Sequence, residues 1–298
     1  MKNIYWASIR VLNVFMAMLM LASCDKFEGD QEVPAYIQID SIGCVTEYDV
    51  EGTASHKIVD AWVWVDDQLI GTFELPAMVP VLMQGAHEVV VRAGIKNNGI
   101  SNTRVPYPFY SSIVRENFIL TPDSISLLNA SVGYFDNTVF AWMEDFESPL
   151  ISIEETTKSD TAIKKTTQDG QVFEGTYSGI IELNNEKSFY EGSMKNEIEI
   201  PAGQTPVYLE LNYKTTNTFT TGLFSILFSE IIQEPILNIT PKEEWNKIYV
   251  NYTPIVQRNS EALSFKVFLG SVLQTNLSEG TIIIDNLKLL YRKDTKNE

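Results

Sequence analysis

Period-two alternation of apolar and polar residues dominates the chain after residue 33 and predicts β-strands. In the segment AYIQIDSI, the apolar residues Ala35, Ile37 and Ile39 fall on one face of an extended strand and polar residues fall on the other. The segment PVYLELNYKT at 206–215 repeats this pattern. No part of residues 34–118 has the spacing of an amphipathic helix. The alternation therefore predicts an all-β protein.

Residues 34–118 are expected to form a small Ig-like β-sandwich. The segment DAWVWVDDQLIGTFEL predicts a hairpin that turns at Asp66-Asp67, with Gly71 as a bulge or bend. A strand is predicted over 88–95, and Asn97-Asn98-Gly99 predicts the turn that follows it.

A second module is expected over residues 139–298. The segment ILTPDSISLL carries a turn signal, so residues 119–138 are predicted to be a linker or boundary region. Short strands are predicted beyond it over 176–183, 206–215, 222–229, 245–254, 263–270 and 280–292. Six or more strands over this length favour two packed sheets in a jelly roll, larger than the first sandwich.

The amino terminus departs from the alternation. Lys2 and Arg10 supply positive charge, and the run from Val11 to Ala22 is apolar apart from Asn13. That run is shorter than the about 20 apolar residues that a spanning helix needs. Positive charge followed by a short apolar run is typical of a secretory signal, so residues 1–23 are predicted to be a cleaved signal peptide.

The apolar run closes with Leu21-Ala22-Ser23-Cys24, which resembles a bacterial lipobox. The resemblance implies that the Cys24 thiol receives diacylglycerol and that cleavage before it leaves a lipidated, N-acylated first residue. Two or three acyl chains would anchor the protein durably, whereas a single chain anchors only marginally. The alternative is a buried or transmembrane helix with an incidental cysteine.

Residues 24–33 are predicted to form a flexible acidic tether, because they are polar and show no periodicity. Acidic residues and a lysine directly after Cys24 resemble the export signal of surface lipoproteins in Bacteroidetes-type bacteria, although Phe27 interrupts the charges. The resemblance implies a lipid-anchored protein of the outer membrane, exposed at the cell surface, with the periplasmic face as the alternative. Many such lipoproteins begin with a small sandwich domain similar to residues 34–118.

The second module resembles the jelly-roll carbohydrate-binding modules of secreted bacterial proteins. The resemblance lies in MEDFES (143–148), GTYSG (175–179), YLELNYKT (208–215), EEWNKIYVN (243–251) and IIIDNLKLLYR (282–292). Many members of that fold hold a structural calcium between the opening and closing strands. By resemblance, Glu147 and Asp285 are the candidate ligands, with Asp145 as a third; calcium prefers such oxygen ligands. The alternative is that these are ordinary strand-end acids.

Trp62 and Trp64 are candidate ligand-binding residues. They are two positions apart on a predicted strand, so both indoles share one face while Ala61, Val63 and Val65 face the core. Paired indoles suit stacking on a sugar or docking of a protein. The alternative is that they pack beneath a loop or against the second module.

Charge and missing motifs exclude several classes of function. The chain has 22 Lys and Arg against 39 Asp and Glu, a net charge of −17, which argues against nucleic acid. The chain has no nucleophile elbow, zinc motif or phosphate loop. Its two histidines, His56 and His87, are predicted at a polar loop and a strand start, and Cys44 is predicted to be a small buried hydrophobe without a disulfide partner.

The sequence therefore predicts a non-catalytic, lipid-anchored binding protein that holds a carbohydrate at the cell surface. The first alternative is a structural or assembly lipoprotein that docks to an outer-membrane protein complex. The second is a glycoside hydrolase or its accessory, since acids such as Glu144, Asp145 and Glu147 are plentiful, but nothing in the sequence places a pair of them in a cleft.

Overall fold

The computed structural model of the protein describes residues 33–200 and 206–293. The predicted signal peptide, Cys24 and nearly all of the predicted tether lie outside these residues. Within the two described ranges, no helix is both long enough and apolar enough to cross a bilayer.

The first module consists of short strands and one four-residue helix. Its elements are β1 (Ala35–Ile39), β2 (Ile42–Cys44), α1 (Tyr48–Glu51), β3 (Asp60–Val65), β4 (Gln68–Glu74), β5 (Ala77–Val81), β6 (Gly85–Lys96), β7 (Arg104–Pro106), β8 (Ile113–Leu120), β9 (Ile125–Leu127) and β10 (Ala130–Val132).

These strands form a β-sandwich. One layer is the short sheet β5-β1-β9, extended by the pair β10-β2, and the other is the long sheet β4-β3-β6-β7, with β8 paired to β6. The alternation of β1 is confirmed, because Ala35, Ile37 and Ile39 are buried in the core between the layers. The hairpin β3–β4 is confirmed as well: Asp66 and Asp67 have positive φ angles, and the pairing shifts register beside Gly71.

The segment 119–138, predicted as a linker, is instead folded into the first module. It contains the end of β8 and all of β9 and β10. Strand β9 runs parallel to β1, and β10 runs parallel to β2. Its turn residues Thr121-Pro122-Asp123-Ser124 suggested a flexible connection, but they form only the tight bend between β8 and β9.

The second module is also built from strands. Its elements are β11 (Thr138–Glu144), β12 (Ile153–Glu155), β13 (Lys164–Thr166), β14 (Ser178–Asn184), β15 (Phe189–Met194), β16 (Val207–Thr215), β17 (Phe219–Ile226), β18 (Ile231–Ile239), β19 (Lys242–Asn251), α2 (Thr253–Arg258), β20 (Ser264–Val272) and β21 (Glu279–Arg292).

Two sheets of the second module face each other in a jelly-roll-like sandwich, as the strand pattern predicted. The inner sheet has the order β13-β14-β21-β16-β19, with β11 also paired to β21, and the outer sheet has the order β12-β15-β20-β17-β18. Apolar side chains from both sheets fill the space between them. In β16 these are the four residues that the alternation placed on one face: Val207, Leu209, Leu211 and Tyr213.

The other face of the inner sheet is buried too, because the first module packs against it. Tyr208 and Leu290 belong to the core of the first module rather than to that of the second. Asn98 in the first module donates its backbone N–H to the Tyr249 carbonyl at 2.9 Å. The inner sheet is therefore covered on both faces, whereas the outer sheet keeps one face free of the first module.

Candidate functional site

An open depression lies on the free face of the outer sheet, and we call it the sheet groove. Its volume is about 510 Å³. Four neighbouring strands, β15, β20, β17 and β18, contribute its lining. The main lining residues are Phe189, Glu191, Thr220, Gln233, Asn238, Phe268 and Gly270.

The floor of the sheet groove is a glycine. Gly270 in β20 lies between Glu191 of β15 and Thr220 of β17 in the pairing register. A Cβ atom added to Gly270 would come no closer than 3.7 Å to another heavy atom, the Tyr190 carbonyl oxygen. The absence of a side chain at Gly270 leaves the depression open. No neighbouring backbone comes close enough to require glycine at this position.

Hydrogen-bonding groups flank this floor. The Gln233 Nε2 atom donates to Glu191 Oε2 at 2.7 Å across the two intervening strands. The Thr156 hydroxyl donates to Glu191 Oε1 at 2.9 Å, and the Thr220 hydroxyl donates to Asn238 Oδ1 at 2.5 Å. Amide, hydroxyl and carboxylate groups fixed side by side can donate to and accept from the hydroxyl groups of a ligand.

Aromatic side chains supply the apolar part of the sheet groove. The Phe268 ring packs against Phe224 with 5.0 Å between ring centroids. Phe189 is half-buried at the β15 side. Apolar surface next to convergent polar groups is typical of small-molecule sites.

Trp62 and Trp64 lie on the other module, on the outer face of the long sheet. Their predicted facing is confirmed: Ala61, Val63 and Val65 are fully buried, and both indoles point away from that core. The two rings stack with 6.5 Å between centroids, and the Arg92 guanidinium lies 5.3 Å from the Trp64 ring. Both indoles are half-buried, so they form a compact stack with limited free ring surface.

The three candidate calcium ligands are occupied by protein donors. Asp145 Oδ1 accepts the Glu147 N–H at 3.0 Å, and Glu147 Oε1 accepts the N–H groups of Thr176 and Tyr177 at 2.8 and 2.9 Å. Asp285 Oδ2 accepts the Ser178 hydroxyl at 2.5 Å. Within residues 33–200 and 206–293, no group of three or more His, Cys, Asp or Glu side chains is arranged to hold a metal ion. Calcium binding therefore stays a prediction of the sequence.

Asp285 has an unusual protonation equilibrium. Burial raises its pKa to about 7, although the hydrogen bond from Ser178 acts in the opposite direction. The side chain is almost inaccessible to solvent. A carboxyl group whose pKa lies near neutral pH makes the stability of the fold depend on pH.

A polar cluster lies between the two modules and is closed to solvent. Glu210 in β16 is paired with the Lys247 Nζ atom at 2.7 Å and accepts hydrogen bonds from the hydroxyls of Tyr107 and Tyr134 at 2.7 and 2.9 Å. Burial would raise the pKa of Glu210, but the ammonium groups of Lys247 and Lys288 outweigh it and lower that pKa. The cluster holds the modules together and presents no surface to a ligand.

Cys44, His87 and His56 lie outside the sheet groove and contact other parts of the protein. Cys44 is a free, half-buried thiol that packs at the edge of the first core, and burial raises its pKa. His87 lies near the start of β6, where its contact with Asp66 at 2.6 Å raises the pKa of the imidazole. Burial lowers the pKa of His56.

Comparisons with known proteins show similarity at the level of solved structures. No protein-family model matches the chain. No curated protein matches it either. A family 22 carbohydrate-binding module of Clostridium thermocellum Xyn10B is similar at 13% identity, with 53% of this chain and 96% of that chain covered and a TM-score of 0.38.

Two further solved structures show the same level of similarity. The family 11 carbohydrate-binding module of the Clostridium thermocellum cellulase Lic26A-Cel5E has 13% identity, covering 49% of this chain and 91% of that chain, with a TM-score of 0.34. The enzymatically active domain of tailspike protein 4 of bacteriophage CBA120 has 12% identity and a TM-score of 0.36, covering 52% of this chain and 19% of that chain. The TM-scores are all below 0.5, and these similarities identify no ligand.

The sheet groove was missed in the sequence because its residues come from four separated strands. One signal pointed to it: Gly270 interrupts the apolar strand that begins at Ser264. An isolated glycine within a strand indicates a bulge or a close approach to that surface.

Proposed function

We propose that this protein is a lipid-anchored, non-catalytic binding protein of the cell envelope that holds a carbohydrate in the sheet groove. The observation that carries the proposal is the glycine-floored depression on the one free sheet face of the second module, flanked by fixed polar groups and by phenylalanine rings. A sugar needs both kinds of contact, because its hydroxyls take hydrogen bonds and its ring faces pack on apolar surface.

Binding rather than hydrolysis is favoured by the groups in the groove. Glycoside hydrolysis uses two carboxyl groups that flank the scissile bond. Among the described residues that line the groove, Glu191 is the one carboxylate. Both of its oxygens already accept hydrogen bonds, from Thr156 and from Gln233.

The anchor belongs to the same proposal, and it rests on the lipobox-like segment ending at Cys24. Acyl chains on Cys24 would hold the protein at the outer membrane, with the binding module outside the lipid layer. Replacing the residue, Cys24→Ser, is expected to abolish incorporation of radiolabelled lipid and to release the protein from membranes. Labelling that persists in this variant would disprove the anchor.

The groove is tested with the variant Gly270→Val in the acyl-free protein. The branched side chain fills the floor, and valine suits a strand, so glycan affinity is expected to fall at least about tenfold while the fold is kept. Binding is measured on a glycan array and then by affinity electrophoresis with the best ligand.

Gly43→Val is the matched control, because a Cβ there meets no atom closer than 3.9 Å and Gly43 lies in β2, away from the groove. A second comparison is the double variant Trp62→Ala/Trp64→Ala, which separates the indole stack from the groove. Unchanged binding by Gly270→Val, or no glycan bound by the wild type, would reject the groove as the site.

A second function is favoured by an exposed apolar strip on the short sheet. Ile125, Leu127 and Met78 are 56%, 53% and 49% exposed, and the register places them on one face. Tyr36 and Pro80 lie on the same face. Apolar side chains grouped on a free sheet face are typical of a protein-docking surface, as an assembly lipoprotein of the outer membrane would need.

This second function is tested by co-purification from detergent-solubilised outer membranes. A protein partner that is lost in Ile125→Asp/Leu127→Asp, and retained in Gly270→Val and in the absence of glycan, would favour docking. Absence of any partner that depends on the strip would reject it.

A further inference from the structure

A second cavity, the lysine crevice, lies where the two modules meet. Its volume is about 320 Å³. One wall comes from the first module, from Lys57, Lys96 and the turn that follows β6. The other wall comes from the second module, from the end of β18 and the strand β19, and it includes Lys242 and Asn246.

Hydrogen bonds between the modules fix the two walls of this crevice. The Asn98 side chain accepts the Asn251 N–H at 2.8 Å, and its backbone N–H donates to the Tyr249 carbonyl at 2.9 Å. The Lys57 N–H donates to the Tyr249 hydroxyl at 2.9 Å. A cavity whose walls are tied in this way is pre-formed, so a ligand need not order them.

The crevice concentrates positive charge in a protein whose net charge is −17. Among the described residues, the side chains of Lys57, Lys96 and Lys242 make no salt bridge with an acid. Burial lowers the pKa of Lys57, and the ammonium groups of Lys96 and Lys242 lower it further. The three charges repel one another, and an anion between them would relieve that repulsion.

The crevice and the sheet groove share one lining residue. Asn238, near the end of β18, lines both cavities. A polymer that lies in the groove and continues past Asn238 would have the lysine crevice as its next polar surface. Asn246 and Ser101 add polar groups at the same place.

We propose that the lysine crevice binds the carboxylate or sulfate groups of an acidic polysaccharide whose neighbouring sugars occupy the sheet groove. This proposal rests on the proposed carbohydrate binding and narrows its ligand to an anionic glycan. Lysine ammonium groups suit such a ligand because they act as compact point charges with rotatable donors. Added salt screens attraction of this kind, so binding through the crevice is expected to weaken as ionic strength rises.

The test compares acidic polysaccharides with their neutralised forms. The probes are polygalacturonate and its carboxyl-reduced form, glucuronoxylan and its carboxyl-reduced form, and chondroitin sulfate and its desulfated form. They are assayed by affinity electrophoresis with the acyl-free protein. The variant is Lys57→Ala/Lys96→Ala/Lys242→Ala. The matched control, Lys164→Ala/Lys187→Ala/Lys195→Ala, removes the same charge at exposed positions outside both cavities.

The wild type and the control variant are expected to bind at least one acidic polymer about tenfold more tightly than its neutralised form. The crevice variant is expected to lose that preference while keeping its affinity for the neutralised form. No acidic preference in the wild type, or one that persists in the crevice variant, overturns the proposal.

Two further outcomes separate this proposal from others. Thermal stabilisation by sodium sulfate that the crevice variant loses, without any preference for acidic polymers, assigns a free-anion site and overturns the glycan proposal. Binding of neutral polymers that depends on Gly270 but shows no acidic preference rejects the crevice alone. If no polymer binds, the carbohydrate function itself fails.

Discussion

Two buried glutamates, Glu191 in the sheet groove and Glu210 between the modules, show how similar groups take different roles. Glu191 is 6% exposed and Glu210 is fully buried. Each accepts two hydrogen bonds from neutral side chains. They differ in their cations, because Lys247 lies 2.7 Å from Glu210 and is itself buried, whereas the exposed Lys158 lies 3.7 Å from Glu191.

The difference follows from the position of each strand in the layers. Strand β16 has a packed core on one face and the first module on the other, so the charge of Glu210 must be compensated inside the protein. Strand β15 has one free face, where the open groove reaches Gln233, one of the two partners of Glu191. Glu210 is thus compensated by a buried cation, whereas Glu191 is held by Thr156 and Gln233 beside an open cavity.

The largest expected effect comes from breaking the enclosed cluster with Glu210→Ala. Lys247 and Lys288 would then be buried without their acid, which we expect to lower the free energy of unfolding by about 3–5 kcal/mol. Urea unfolding followed by tryptophan fluorescence measures the loss. The matched variant Glu191→Ala is expected to cost about 1 kcal/mol, since it removes neutral hydrogen bonds at a free face.

A rescue variant checks the cause of that loss. Glu210→Leu/Lys247→Met replaces the pair by apolar side chains and is expected to recover part of the stability. Equal losses in Glu210→Ala and Glu191→Ala would show that enclosure does not distinguish the two carboxylates.

The next effect is a dependence of stability on pH that arises from Asp285. Its pKa in the folded protein is raised from 3.8 to about 7, so the folded state binds its proton more tightly than the unfolded state. The stability it contributes is complete below about pH 4 and is lost as pH rises through 7. The contribution is on the order of 4 kcal/mol, measured by urea unfolding at a series of pH values.

Asp285→Asn is expected to weaken the dependence of the free energy of unfolding on pH between pH 4 and 7. Lys288 gives a separate signal: burial lowers its pKa from 10.5 to about 8, so its contribution is complete above about pH 10.5 and is lost as pH falls through 8. Unchanged pH dependence in Asp285→Asn would remove this residue as the cause.

The smallest expected change in stability is that of Glu191→Gln, a conservative change in the groove. The amide keeps an acceptor for one of the two donors, so the unfolding free energy is expected to change by less than about 1 kcal/mol. Glycan affinity, measured by affinity electrophoresis, is expected to fall several-fold because the amide cannot accept from both Thr156 and Gln233 and so fixes the groove wall less firmly. Loss of stability without loss of glycan affinity would mean that Glu191, like Glu210, stabilises the fold and takes no part in binding.

Much of the fold could be predicted from the sequence because alternation records which face of a strand is buried. Strands β1, β3 and β16 were assigned to the correct faces in this way. Strands β15 and β18 were missed because Gly192 and Pro235 disrupt their patterns; Pro235 is tolerated since β18 is an edge strand. Alternation also could not show that the first module covers the second face of β16.

The candidate sites were harder to predict, because they depend on which strands become neighbours. The shared face of Trp62 and Trp64 could be predicted because the two residues are close in sequence, and their role as a binding site stays a prediction. The groove brings Glu191, Gln233 and Gly270 together across four strands. The order of strands in a sheet cannot be predicted from the alternation within any one strand. The lysine crevice needs two modules in contact, which no single segment indicates.

Strand β1 follows directly on the segment that would carry the lipid anchor, and it is hydrogen-bonded along both edges, to β5 and to β9. A pull on the chain ahead of Ala35 acts along the strand, across hydrogen bonds that run between strands. The hydrogen bonds to β5 and to β9 would then be loaded in shear, all together, instead of breaking one at a time. If the proposed anchor and the proposed carbohydrate binding both hold, this arrangement would let the first module bear a pull on the bound polymer without unfolding from its anchored end.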